Sequence, residues 1–321
     1  MQTTQTTYTD GDDTRRKARR GLAIYFAVVL ALSAPIQAVI IAADLDGGRN
    51  GLVQWLSLIA ALMFVPTTAS VVARLALKED FSDVSFRFGG RRGRNAILQA
   101  LVLPALIGFV AYGIAWTTGL IGFGMPPTGL GGWVATIAAL LVLNLVLVSG
   151  EEIGWRGYML TRLIDAGVPR PVLMSGVIWG LWHVPLFLWG GFVQGVPSLL
   201  ATALLMVLTP SLGYVLARMR LETGSVWPAI ALHAAWNATI QAGFQPLAAG
   251  ASSQVWVSES GMLTALVLVA AAVIYSRGRW TILHEPPKRE TTHVQQVGVQ
   301  VQPRVQQPRP PGSPCLDTSA R

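Results

Sequence analysis

Apolar residues along this chain fall in long unbroken runs. They show neither the alternation of a half-buried strand nor the three-to-four spacing of a helix with one wet face. Runs of about 20 apolar residues are what a bilayer span requires. Eight stretches qualify, approximately Gly21–Ala43, Gly51–Leu77, Ala96–Gly119, Gly132–Leu160, Pro171–Trp189, Pro197–Ala217, Val226–Ala242 and Gly261–Ser276. The fourth is long enough for its last part to emerge from the bilayer, and the eighth is the shortest. The pattern predicts an all-α, polytopic transmembrane helical bundle of about eight spans. The first run exceeds the apolar core of a signal peptide, about 7–15 residues, so it reads as a permanent span.

The polar positions between the runs alternate in charge. Arg15 to Arg20 precede span one, and Arg74 sits in the last turn of span two. Lys78, Arg87, Arg91, Arg92 and Arg94 lie between spans two and three. Arg162 and Arg170 flank the turn between four and five, Arg218 and Arg220 separate six from seven, and Arg277 and Arg279 follow span eight. The intervening loops hold almost no Lys or Arg, with Arg49 the exception. Basic loops face the cytoplasm, so both termini are expected there. One span more or fewer would break the alternation after it.

Composition agrees. The chain is 52% hydrophobic and 12% charged, against about 25% charged in soluble domains. The net charge of +8 sits mostly in short loops and tails, so it reads as topology, and no nucleic-acid partner is expected. The lipid bilayer is the expected surrounding, in a multi-pass protein of the cell membrane. Three regions follow: a basic cytoplasmic tail over 1–20, a transmembrane bundle over 21–276, and a cytoplasmic tail over 277–321. The last is rich in Gln, Val and Pro and is expected to be disordered. The first fourteen residues, polar and Thr-rich, are expected to be so too. The one cysteine, Cys315, excludes an internal disulfide framework and a thiolate metal cluster within one chain.

Three constellations carry chemistry. Ser149-Gly150-Glu151-Glu152-Ile153-Gly154-Trp155-Arg156 follows the mostly apolar stretch from Val134 to Val148. Adjacent carboxylates in a low-dielectric site repel one another, which suits general acid–base work. Glu152 and Arg156 are four apart and share a helix face, while Glu151 points about 100° away. The bland reading is a charge cluster at a helix end. Trp179-Gly180-Leu181-Trp182-His183-Val184-Pro185 puts a histidine well inside span five. His233-Ala234-Ala235-Trp236-Asn237 puts a histidine and an amide on one face of span seven. Interhelical polar contacts are the ordinary use of such groups in membranes. Yet intramembrane ionisable residues are functional candidates by default. By helical rise, Glu151 lies about 15 Å before Arg162 and His233 about 10 Å past Val226. The groups can therefore meet at one depth, between the cytoplasmic face and the midplane. No HExxH is present, so the usual helical zinc-peptidase motif is absent.

The set Glu151-Glu152-x-x-x-Arg156, Trp179-x-x-x-His183 and His233-x-x-x-Asn237 resembles the CPBP family. That family comprises the CAAX prenyl proteases of the Ras-converting type and the Abi-type, bacteriocin-processing membrane proteins. The resemblance covers roughly 132–242. One departure is Trp179, where the family motif usually has Phe; it reads as a packing variation. The resemblance implies an intramembrane endopeptidase acting near the cytoplasmic side. Glu151 would activate water, His183 would bind or activate it, and His233 with Asn237 would stabilise the oxyanion. Glu152 and Arg156 would hold the first motif. A zinc ion held by Glu151, His183 and His233 fits the motif residues, and so does a metal-free glutamate-activated water. The substrate stays open among a prenylated CAAX protein, a bacteriocin leader and another membrane-anchored peptide. Two other classes use the same residues: a binding or immunity protein on the same fold, and a proton-coupled transporter.

Overall fold

The computed structural model describes residues 6–45, 51–126 and 128–278, with side chains from Gly11 onward. The C-terminal tail beyond Gly278, including Cys315, lies outside the described residues.

The long apolar runs become helices: α1 (Thr6–Ala42), α2 (Leu52–Leu77), α3 (Gly90–Thr117) and α4 (Gly129–Gly154). A π-helical turn (Trp155–Met159) joins α4 to α5 (Leu160–Asp165). Then come α6 (Pro171–Trp189), α7 (Ser198–Thr223) and α8 (Trp227–Trp236). A π-helical stretch (Asn237–Phe244) continues α8, and α9 (Ser253–Val257) and α10 (Met262–Arg277) complete the order. Two short strands, β1 (Gly122–Phe123) and β2 (Ala248–Ala249), pair antiparallel and tie two loops together.

Among the described residues, seven helical segments are long and apolar enough to cross a membrane. This is an all-α, multi-pass membrane protein. The expectation of about eight spans is corrected in one place. Val226–Ala242 is helical, but it divides into the ten residues of α8 and the eight of the π stretch. The two run on without a break over 227–244, as α4 runs through its π turn into α5, and the stretch is not among the seven apolar spans. The reason is its surroundings: Pro228 through Trp236 are all buried in protein. This segment is the centre of the bundle and does not face lipid. The N-terminal expectation also changes, because α1 begins at Thr6 and takes in most of the polar leader.

The basic turns gather at one end of the bundle. Arg162 of α5 pairs with Glu79 at 2.7 Å and Asp83 at 2.8 Å, and Arg74 of α2 pairs with Asp83 at 2.6 Å. Arg220 of α7 donates to the Asp83 carbonyl. The alternation in the sequence is thus an arrangement in space, one charged end and one nearly neutral end.

Close helix approaches set the interior. A Cβ at Gly154 would stand 2.3 Å from the Pro66 carbonyl carbon, so α2 and α4 touch backbone to backbone there. Thr67 Oγ1 donates to the Gly150 carbonyl at 2.6 Å across the same contact. Gly213 of α7 likewise faces the Gly176 Cα of α6, where a Cβ would come within 2.7 Å. Such small-residue contacts let backbones pack closely in a medium that offers little hydrophobic drive between helices.

Candidate active site

Glu151 and Glu152 occupy the last turn of α4, directly before the π-helical turn. A π turn inside an α-helix shifts the register of the side chains that follow and recurs at functional sites. Glu152 is fully buried, and so is Arg156. Arg156 Nη1 donates to Glu152 Oε1 at 2.8 Å. The same oxygen accepts from His233 Nδ1 at 2.9 Å. Glu152 therefore does more than anchor its own helix: it fixes a histidine on α8. The sequence spacing exposed the first partner and gave no sign of the second.

Glu151 is turned elsewhere. Its Oε2 accepts from Trp179 Nε1 at 2.8 Å. The Trp179 ring also lies under the Arg156 guanidinium, 4.6 Å from the centroid, and meets the His233 ring edge-on at 5.2 Å. The expectation that Trp179 is a packing variation is corrected here. A phenyl ring could fill the space, but only the indole offers an N–H to Glu151.

His183 Nδ1 faces the Trp179 carbonyl at 2.9 Å. A carbonyl only accepts, so Nδ1 carries the proton and Nε2 of the neutral ring keeps its lone pair. The neighbouring Trp182 stands edge-on to His183 at 4.7 Å and is itself held from α1. Trp182 Nε1 donates to Ser33 Oγ at 2.8 Å, and Gln37 Nε2 donates to the Trp182 carbonyl at 2.8 Å. Asn237 opens the second π stretch, and its Nδ2 donates to Asn144 Oδ1 at 3.0 Å. Ser33, Gln37 and Asn144 were not singled out in the sequence. Each is a polar residue inside an apolar span, which is the signal that could have found them.

Glu151, His183, His233 and Asn237 line one cavity of about 840 Å³ enclosed mainly by α2, α4, α6, α7 and α8. Three separate motifs thus reach a common space, as their matched depths suggested. Glu152 and Arg156 stand behind it. Among the described residues, no three His, Cys, Asp or Glu side chains gather into a set that could hold a metal ion. Glu151, His183 and His233 each spend one polar atom on a protein partner: Glu151 Oε2 on Trp179 Nε1, His183 Nδ1 on the Trp179 carbonyl and His233 Nδ1 on Glu152 Oε1. Each histidine is thereby left Nε2 as the atom that a water, a substrate or a metal would meet.

Residues 132–239, about a third of the chain, match the family model described as type II CAAX prenyl endopeptidase Rce1-like. The match contains all three motifs and agrees with the resemblance they carry. No curated protein matches the chain.

Proposed function

We propose that the Rce1-like segment makes this protein an intramembrane endopeptidase that hydrolyses a peptide bond with a glutamate-activated water. The observation that carries the reading is the convergence of Glu151, His183, His233 and Asn237 on one cavity inside the bundle. Trp179 occupies Glu151 Oε2 and leaves Oε1 to take a proton from water. His183 Nε2 accepts the water's other hydrogen and holds it in line. The hydroxide oxygen attacks the carbonyl carbon, and the carbonyl π pair moves to oxygen. His233 and Asn237 meet the resulting oxyanion. Asn237 Nδ2 uses one hydrogen on Asn144 and keeps a second for substrate. His233 donates from Nε2 when its ring carries both protons, with Glu152 compensating the charge through Nδ1. Preorganised donors of this kind act strongly where water is excluded. The proton held on Glu151 then passes to the leaving amine as the C–N bond breaks.

With His233 doubly protonated, Glu151, Glu152, Arg156 and His233 sum to zero charge. That balance is what a low-dielectric site tolerates, since unpaired charge there is costly.

The test is cleavage of reporter peptides, a prenylated CAAX peptide and unprenylated membrane-anchored peptides among them, by purified protein in detergent, followed by mass spectrometry. On this metal-free reading, cleavage is expected to persist in excess chelator. Loss of activity that zinc restores would sink the metal-free mechanism. Solute flux in proteoliposomes with no cleavage of any peptide would sink the peptidase reading.

Trp179→Phe gives a finer check. It keeps the ring between the two histidines and removes the N–H to Glu151. A hydrogen bond to a charged group is worth about 1.5–3 kcal/mol. Stability is expected to fall by no more than that amount, and turnover about tenfold or more.

A further inference from the structure

The cavity has a direction. Its lining residues nearest the charged end are Met63 on α2, Glu151 on α4, Trp179 on α6, Leu212 on α7 and His233 on α8. Past that level toward the charged end the helices pack solid: Arg156, Tyr158, Met159 and Leu216 are fully buried. The other lining residues lie toward the opposite, nearly neutral end. There the cavity reaches the loop 190–195, of which Gly191, Gln194 and Gly195 are exposed.

The mouth has two unlike walls. On one side Trp55 and Phe192 lie 6.4 Å apart between ring centroids. On the other, Gln241 donates to Glu259 at 2.7 Å and Gln245 to Gln254 at 2.9 Å. An extended peptide matches this: backbone N–H and C=O groups for the polar wall, and side chains for the aromatic one.

The charged end carries the basic turns, which the positive-inside rule places in the cytoplasm. We infer that the polypeptide cut at this site is presented from the extracytoplasmic face, through the mouth between the loop 190–195 and α9. The inference rests on the proteolytic reading and specifies its substrate class: a peptide segment available at the outer surface. The scissile bond still lies deep, in the cytoplasmic half of the bilayer. His233 and Gln245 are twelve helical positions apart, eight of the intervening residues lying in the π stretch; the α-helical rise puts an upper bound of about 18 Å on their separation along the axis. An extended strand of about five or six residues spans that distance. The cleaved bond therefore lies up to about that many residues from the level of Gln245 at the mouth.

Thiol accessibility tests this without turnover, so its outcome does not depend on whether the protein cuts peptides. In a Cys315→Ser background, Leu147→Cys reports the deep wall, Gln245→Cys the outer wall and Arg91→Cys the charged end. A membrane-impermeant charged thiol reagent is applied to intact expressing cells and to inside-out vesicles. Leu147→Cys and Gln245→Cys are expected to react in intact cells only, and Arg91→Cys in inside-out vesicles only. Gln245→Cys stands in if Leu147→Cys fails to fold, as judged by gel filtration. Reaction of the cavity cysteines from the cytoplasmic face would overturn the inference. So would reaction from neither face, which would mean access only through lipid, and so would reaction of Arg91→Cys in intact cells.

Discussion

Glu151→Gln is expected to abolish peptide cleavage while leaving the bundle folded. The substitution is nearly isosteric, and the amide oxygen can still accept from Trp179 Nε1, so the 2.8 Å contact survives. What disappears is the ability to take a proton from water. General-base contributions are typically 10²–10⁴-fold, and a fall of at least that size in single-turnover cleavage is the expected result. Thermal unfolding in detergent should move little, because Glu151 has no cationic hydrogen-bond partner to strand. Wild-type rates in Glu151→Gln would remove Glu151 from the chemistry. The variant also separates the classes. A binding or immunity protein on this fold would bind its partner with or without the carboxylate and show no cleavage in the wild type. A transporter would retain solute flux uncoupled from any peptide product.

Arg156→Met is expected to have the largest effect on stability of any single change near the site. Arg156 and Glu152 are both 0% exposed, so removing the guanidinium leaves a carboxylate buried with only His233 beside it. Breaking a buried pair from one side costs about 3–5 kcal/mol, mostly from the uncompensated charge. The same change removes the cation above the Trp179 ring. The double variant Glu152→Gln with Arg156→Met removes both charges, and replacing a whole buried pair is often near neutral. Stability measured by denaturant titration in detergent should therefore fall in the single variant and largely recover in the double. Activity should not recover, because His233 Nδ1 has then lost the carboxylate that balances its second proton. Recovery of both would make Glu152 a purely structural partner of Arg156. Recovery of neither would mean that packing, and not charge, dominates at this position.

The fold was legible because the bilayer imposes it. Only a helix satisfies its own backbone hydrogen bonds in lipid, so apolar run length translated almost directly into α1, α2, α3, α4, α6 and α7. The segment around His233 is the exception that fits the rule. Its apolar run resembles a span, yet its neighbours are protein, and hydropathy cannot tell burial in a bundle from burial in lipid. The six motif residues were legible as isolated costs, ionisable or amide groups at depth. Their wiring was not. Glu152 to His233 bridges 81 residues of chain, Asn237 to Asn144 bridges 93, and Trp182 to Ser33 bridges 149. No spacing rule reaches across such distances.

The sequence by itself therefore determined that this is a polytopic helical membrane protein with its basic turns alternating along the chain, and that a small set of carboxylate, imidazole and amide groups sits where lipid would exclude them. Those are properties of one helix at a time, set by length, hydropathy and a 3.6-residue repeat. The tertiary structure alone decided that Glu152 serves two partners through one oxygen, that Trp179 is a donor to Glu151, and that the cavity is closed at the charged end and reaches the other. Each depends on which helices touch, and at what height. That is fixed by the glycine contacts of α2 with α4 and of α6 with α7, where backbones meet at distances no side chain could share.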